Sequence, residues 1–448
     1  MTEAPRPHMR TEAVRAFDIR GVVGRDLDAE DARLLGGAYA EEAYARGLSR
    51  IAVARDGRLS SPELEAALVE GLAAGGLEVT RLGIGPTPML AFATQALAFD
   101  GGVMVTASHN PPSHNGFKLF LGGERLSGAA LQALARRAPR HAPGGSVGEG
   151  SALAAYVAHL RAGSGTLPAL RVAWDVGNGA AGAAVRALVA QLPGEHVVLH
   201  AEPDGRFPNH HPDPAVAANL ADLQAAVVAH GCDLGLAFDG DGDRLGAVDA
   251  TGAILWADQL LLLLAADVLR DQPGAAVVGD VKCSDALFEG VRALGGRAAL
   301  AASGYVKVRE ALVREGASIA GELSGHVFYA DLFGGGDDAL YAAVRVLKAL
   351  GRAGETLAAF RARLPRYVST PELRIPCPES RKAAVVEEVA ARLAARGVRP
   401  VRVDGVRVSG SDGWWLLRAS NTESCVTGRF DGSAFCSLIS SRGVSGAP

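Results

Sequence analysis

The stretch Phe238-Asp239-Gly240-Asp241-Gly242-Asp243-Arg244 sets three carboxylates at alternate positions. On extended backbone such side chains point to one side, and the glycines between them let the loop curl tightly. Three negative charges this close repel, and burial would force protonation unless a cation relieves them. A hard divalent ion does so, and three carboxylates leave coordination positions open, which suits Mg²⁺ bridging to a phosphate oxygen. An EF-hand does not fit, because its glycine position holds Arg244 and its twelfth position holds Ala250 rather than Glu. A plain acidic turn is the alternative.

A second candidate is Val105-Thr106-Ala107-Ser108-His109-Asn110-Pro111, running on to Lys118. The apolar Gly102–Val105 reads as a short buried strand, and Pro111-Pro112 then forbids regular structure. Ser108 is thereby presented at a strand end, with His109, His114, Asn115 and Lys118 nearby in sequence. Open α/β sheets place their ligands at such ends. For a lone Ser-His pair a polar turn is the simpler reading, and the other stretches weigh against it. Gly321-Glu322-Leu323-Ser324-Gly325-His326 sets Glu322, Ser324 and His326 at alternate positions, on one face of an extended loop suited to gripping sugar hydroxyls. Taken alone it reads as an ordinary polar loop. Arg418-Ala419-Ser420-Asn421-Thr422 supplies a guanidinium fork for phosphate, and Ser420, Asn421 and Thr422 add neutral donors. If the backbone curls there, its N–H groups form an anion nest; the alternative is an exposed turn. Arg20, before Gly21, is either part of a surface turn or an anion-facing arginine in a cleft. A serine, a carboxylate metal loop, a polyol-gripping loop and a phosphate cradle together describe phosphoryl transfer on a sugar.

The elements that must hold these loops follow one pattern three times. An apolar strand ends near an acid (Ile51–Asp56, Val172–Asp175, Ala276–Asp280), a helix follows (62–72, after 179, and 286–294), and a further strand comes next (near 77–79, 196–199 and 298–300). This is the βαβ signature of a mostly parallel sheet with covered faces. Three copies about one domain apart imply three related α/β domains with mixed or parallel sheets. Pro- and Gly-rich stretches at 139–150 and 365–378 read as linkers. Beyond them, 382–396 reads as an amphipathic helix, and 401–408 and 414–417 as strands of a smaller α+β domain. The division expected is 1–148, 149–254, 255–367 and 368–448, one chemical loop in each.

Composition narrows the classes. The 448 residues are 48% apolar but only 5% aromatic, so the core must be Ala, Val and Leu. A net charge of −4 argues against nucleic acid or an anionic membrane as main partner. The five cysteines are scattered without metal spacing and read as free thiols in a reducing compartment. Residues 1–12 are polar, and the apolar run at 260–266 is too short to span a bilayer, so a cytoplasmic protein is expected.

The ordered set of motifs resembles the α-D-phosphohexomutase family, most closely its phosphomannomutase/phosphoglucomutase members, over nearly the whole chain. Residues 106–111 resemble the family's phosphoserine loop, 239–244 its metal loop, 321–326 its sugar-recognition loop and 418–422 its phosphate-binding loop. The resemblance implies four domains around a central cleft and a phosphoserine at Ser108. Mg²⁺ would be held by Asp239, Asp241, Asp243 and a phosphoserine oxygen, with a hexose 1,6-bisphosphate as activator. Arg20, His109, Lys118, Arg244 and Lys282 would line the cleft. Either Lys118 or His109 would be the general acid/base. Leu323 is similar to the dual mannose/glucose members, where the glucosamine branch carries Gln. Phe17 stands where relatives often have Tyr, Tyr305 where some have a substrate-contacting His, and the tail 433–448 departs from the family's charged helix. The implied reaction moves a phosphoryl group between O1 and O6 of a hexose phosphate. Its rivals are a phosphoglucosamine mutase, a Mg²⁺-dependent sugar phosphatase using the same serine, and a sugar-phosphate-binding regulator. Oligomeric state is not readable from the sequence.

Overall fold

In a computed structural model of the chain, residues 7–332, 335–365, 368–370, 372–410, 413–420 and 424–432 are described. Four α/β domains build two compact units, Met1–Ala257 with Ser324–Ala358, and Asp258–Leu323 with Ala359–Pro448.

In the first unit one sheet runs, in spatial order, Ile19–Val22, His114–Leu121, Gly101–Val105, Arg50–Arg55, Glu78–Ile84, Ser146–Glu149. The last four are mutually parallel, and His114–Leu121 runs antiparallel to both of its neighbours, which makes the sheet mixed. Helices Ala29–Ala45 and Ser61–Ala74 bury mainly Ala, Leu and Val, with Tyr39 the one aromatic they bury, in keeping with the composition. A second sheet sets Leu170–Asp175 between parallel partners Gly194–Leu199 and Leu234–Phe238, with Leu245–Asp249 antiparallel on the far side. In the second unit Arg297–Ala301, Ala276–Asp280 and Ala317–Gly321 are parallel, and Val406–Gly410, Gly413–Ala419 and Cys425–Gly432 form an antiparallel sheet.

All three expected βαβ units are present, joining 50–55 to 78–84, 170–175 to 194–199 and 276–280 to 297–301. The acid closing each first strand does the same local work. Asp56 Oδ1, Asp175 Oδ1 and Asp280 Oδ1 each accept the backbone N–H two residues on, from Arg58 (3.0 Å), Gly177 (2.9 Å) and Lys282 (3.2 Å). An aspartate can mimic a backbone turn this way, so it stops the strand and aims the next segment.

Three sequence expectations need correction. The supposed linker at 139–150 contains Ser146–Glu149, an edge strand paired parallel to Glu78–Arg81. The supposed linker at 365–378 likewise carries Val368–Ser369 and Leu373–Pro376, both paired to Cys425–Gly432. The run 401–408 is not one strand: Gly405 takes φ +88°, and Val401 folds back to bridge Arg407. The thiols of Cys232, Cys283 and Cys377 are free, and Cys436 lies outside the described residues, as does the tail from 433.

Candidate active site

Two hairpin connections of the first unit carry its chemistry. Residues 106–113 join the antiparallel strands Gly101–Val105 and His114–Leu121, and residues 239–244 join Leu234–Phe238 to Leu245–Asp249. The second loop is a tight turn rather than an extended run. Gly242 N–H donates to Asp239 O (3.1 Å) and Gly242 adopts φ +74°, so the carboxylates converge because the chain curls. Gly240 is there for a contact: a Cβ on it would lie 2.4 Å from the backbone oxygen of Ser108. Trp174, fully buried, stacks on Phe238 with ring centroids 6.3 Å apart, anchoring the strand that delivers the loop.

Ser108 is buried and has φ +53°, a conformation uncommon for a residue with a side chain. Its hydroxyl donates to Asp239 Oδ2 (2.7 Å) and lies 3.1 Å from His109 Nδ1. The conformation is held from below by residues that sequence reasoning missed. Buried Arg58 donates to four carbonyls of this loop, Ser108 (2.7 Å), Asn110 (2.6 Å), Pro111 (2.7 Å) and His114 (3.0 Å). Asp56 pairs with Arg58 Nε (3.0 Å) and accepts the Thr106 hydroxyl (2.8 Å), whose oxygen in turn accepts Ser108 N–H (2.9 Å). The only sequence signal was Arg55-Asp56-Gly57-Arg58 closing a strand. Arg20 reaches the same loop, donating to Asn110 Oδ1 (2.7 Å) while paired with Asp18 (2.5 Å).

The ligand atoms of Asp239, Asp241 and Asp243 lie within 4.8 Å of one another, all buried. Lys118 Nζ is the cation they share here, 2.5 Å from Asp241 Oδ2 and 2.6 Å from Asp243 Oδ2. Burial opposes its charge, but the two carboxylates outweigh burial and hold its pKa above the ordinary lysine value. Asp239 is pushed well above the usual carboxylate range by burial and by Asp243 and Asp241. Asp241 Oδ1 and Asp243 Oδ1 are buried with no hydrogen-bond partner among the described residues. Three converging buried carboxylates, two of them with an oxygen that no donor reaches among the described residues, form an all-oxygen donor set that fits Mg²⁺. Thr87, also missed, steadies the loop: its hydroxyl donates to Asp241 Oδ2 and its N–H to Asp241 O (2.8 Å).

Arg244 donates from Nε to His326 Nε2 (3.1 Å), and His326 Nδ1 lies 2.7 Å from Asp337 Oδ2 and 3.6 Å from Asp243 Oδ1. Burial lowers the His326 pKa, but Asp243 and Asp337 prevail and raise it. His109 goes the other way, held well below its ordinary value by burial and by Arg244 and Arg20. The segment 322–326 is a turn, with Gly325 at φ +100°, not the extended loop expected. Ser324 Oγ is buried without a hydrogen-bond partner among the described residues.

In the second unit a separate network gathers the remaining candidates. Asp404 Oδ2 accepts Arg418 Nε (3.0 Å) and Ser303 N–H (3.1 Å). The Ser303 hydroxyl donates to Asp280 Oδ2 (2.9 Å), which lies 3.9 Å from Lys282 Nζ. Glu322 Oε2 accepts Gly304 N–H (3.0 Å), just before the helix that begins at Tyr305. Ser420 is buried, with its carbonyl accepting Lys382 Nζ (2.6 Å). Asn421 and Thr422 lie outside the described residues. Arg407 inserts between these parts, donating to Val281 O (2.5 Å) and Cys283 O (2.8 Å) on either side of Lys282, with its guanidinium 3.8 Å from the Trp414 ring centroid.

Buried hydroxyl, carboxylate cage and flanking cations define the first unit as a metal-assisted phosphoryl-transfer centre. Residues 11–142, 154–252 and 256–367 match phosphoglucomutase/phosphomannomutase alpha/beta/alpha domains I, II and III, and residues 372–433 the C-terminal domain of the same proteins. The phosphomannomutase/phosphoglucomutase of Pseudomonas aeruginosa is 42% identical over 434 residues, covering 96% of this chain and 94% of that protein. The phosphoglucomutase of Neisseria gonorrhoeae is 42% identical over 424 residues, covering 93% and 92%. The crystal structure of a phosphoglucomutase/phosphomannomutase family protein from Burkholderia thailandensis superposes with a TM-score of 0.89 at 39% identity, covering 96% of this chain and 95% of that one. The chain belongs to the phosphoglucomutase/phosphomannomutase family. It is a phosphohexomutase, of a family that depends on Mg²⁺ and a phosphoserine.

Proposed function

We propose that this enzyme interconverts the 1- and 6-phosphates of both mannose and glucose, with Ser108 as the phosphoryl carrier. The observation that carries the reading is the Ser108 hydroxyl, buried and set 2.7 Å from Asp239 by a backbone conformation that the loop enforces. In one half-reaction the bond from Ser108 Oγ to phosphorus breaks as a bond from phosphorus to a sugar hydroxyl oxygen forms, and the sugar's proton passes to a base. In the other half the second phosphate of the hexose 1,6-bisphosphate returns to Ser108. His109 and Lys118 are the candidate acid/base groups. His109 lies 3.1 Å from Ser108 Oγ and is kept neutral by burial and by Arg244 and Arg20, which leaves a ring nitrogen unprotonated beside the hydroxyl. Asp239, Asp241 and Asp243 would hold Mg²⁺, which supplies charge stabilisation to the transferring phosphoryl group. Arg20 and Arg244 bring further positive charge to the first unit's loops. Lys282, Tyr305, Glu322, Arg418 and Ser420, with Asn421 and Thr422, supply sugar and phosphate recognition from the second unit, together with Ser324 and His326. Leu323 in place of Gln favours hexoses over the glucosamine substrate. Among the described residues no helix is long and apolar enough to cross a membrane, and a cytoplasmic enzyme acting on free sugar phosphates is our reading.

Peptide mapping of freshly purified protein tests the carrier, and a phosphoryl group is expected on Ser108. Coupled assays on glucose 1-phosphate and mannose 1-phosphate test the substrates. Turnover should need trace hexose bisphosphate and release little inorganic phosphate; stoichiometric phosphate release would establish the phosphatase instead. Ser108→Ala should abolish turnover, and retained activity would refute the carrier role.

A further inference from the structure

A second group of metal-ligating side chains lies apart from the carboxylate cage. Asp175, His200 and His210 each offer a ligand atom, and these atoms lie within 4.8 Å of one another. Asp175 closes the strand Leu170–Asp175, His200 directly follows the strand Gly194–Leu199, and His210 sits on the long loop after it. The parallel pairing of those two strands brings Asp175 opposite Leu199, and so fixes the separation of the first two ligands.

Each ring also has a nitrogen against a carbonyl or carboxylate oxygen. His210 Nδ1 lies 3.1 Å from His211 O, while its Nε2 faces Asp175 Oδ2 at 3.0 Å. His200 Nε2 lies 3.0 Å from Asp222 Oδ2. A carbonyl or carboxylate that takes one ring N–H fixes the tautomer and leaves the other nitrogen for a metal. The ring centroids of His200 and His210 are 5.4 Å apart, nearly perpendicular, so the two imidazoles converge without stacking.

We propose that Asp175, His200 and His210 form a second divalent-metal site, with Asp222 as the outer carboxylate on His200. Two imidazoles and one carboxylate select a borderline ion such as Zn²⁺ or Co²⁺ over Mg²⁺, which prefers oxygen ligands. The ion acts as a clip on the loop through His210, His211, Pro212 and Asp213. Pro212 Cγ is 3.4 Å from where a Cβ on Gly240 would stand, and Asp213 Oδ1 lies 3.9 Å from Arg244 Nη1. The clip therefore steadies the segment that backs the Mg²⁺ loop, without contributing to that loop's own ligands.

The test is Co²⁺ uptake, followed by visible absorption in excess Mg²⁺, for wild type, His200→Asn, His210→Gln and Asp241→Asn. Wild type and Asp241→Asn should each take up Co²⁺ with the intense bands of a four-coordinate nitrogen/oxygen site. The histidine variants should bind at least about 10–100-fold more weakly. Asparagine tolerates the positive φ at position 200, so that variant should fold even if His210→Gln does not. A melting temperature raised by Zn²⁺ in wild type and unchanged by Zn²⁺ in His200→Asn is the second expected readout. Equal Co²⁺ affinity in wild type and His200→Asn would overturn the proposal, as would wild type taking up no Co²⁺ once Mg²⁺ is in excess.

Discussion

Arg58 is the residue whose removal most directly tests how the nucleophile is held. Its guanidinium is essentially excluded from solvent, donates to four loop carbonyls and pairs with Asp56. Truncation to Ala strands the Asp56 carboxylate as well as the carbonyls. Breaking one side of a buried ion pair costs about 3–5 kcal/mol. The carbonyls of Asn110, Pro111 and His114 border solvent and recover part of their bonding from water, so the loss should stay within that range. The effect on rate is separate. Ser108 at φ +53° stores on the order of 1–3 kcal/mol of backbone strain, which the loop releases once Arg58 no longer grips it. The hydroxyl then leaves its place 2.7 Å from Asp239, and a displacement of about 1 Å costs about 100-fold in turnover. Arg58→Lys keeps the charge but not the planar fork, and should restore stability more than turnover. Urea unfolding gives the first quantity and a coupled mutase assay the second. A folded Arg58→Ala enzyme with wild-type kcat would refute the claim that this arginine sets the loop.

Three further outcomes follow from the same geometry. Thr87→Val removes the hydroxyl that orients Asp241, and Mg²⁺ titration of activity should show affinity about 10–100-fold weaker with saturated turnover largely retained. Arg407→Ala deprives Val281 O and Cys283 O of their donor and Asp285 of its buried cation, so urea unfolding should show a loss of about 3–5 kcal/mol and KM should rise more than kcat falls. His210 is desolvated, which lowers its pKa, but the bond and charge of Asp175 win and raise it above the ordinary value. A raised histidine pKa means stability that is full below about pH 6.5 and lost as pH climbs through the folded value. In metal-free protein the gap in melting temperature between wild type and His210→Gln should therefore narrow from about pH 5 to about pH 8.

What the sequence revealed was whatever is local. The aspartates at 56, 175 and 280 were legible because a strand-ending acid bonds the backbone two residues on, within one turn of chain. The Asp239–Asp243 spacing was legible for the same reason, although the curl of Gly242, not an extended run, brings the carboxylates together. Arg58 was not legible, because its meaning lies in carbonyls 50 to 56 positions away, and a lone arginine after a turn looks like any surface residue. The strand at 146–149 was hidden by its neighbours: all four of its residues are exposed, so it shows no apolar alternation, and glycines and prolines surround it. Residues 401–408 misled in the opposite sense, their alternating valines imitating one strand across the left-handed Gly405.

The charges around Ser108 tie its two requirements together. As it stands, Lys118 compensates Asp241 and Asp243, and the Ser108 hydroxyl donates to Asp239, whose carboxyl already resists ionising. A phosphoryl group on Ser108 removes that donor and adds between one and two negative charges close to the same carboxylate. In a buried pocket this repulsion is far larger than in water, and one lysine shared by two other carboxylates does not offset it. A divalent cation bound by the orphaned oxygens of Asp241 and Asp243 does. Phosphorylation must then tighten Mg²⁺ binding, and by reciprocity Mg²⁺ must stabilise the phosphoserine by the same factor. A serine held this close to an aspartate would thereby link its phosphorylation to metal binding.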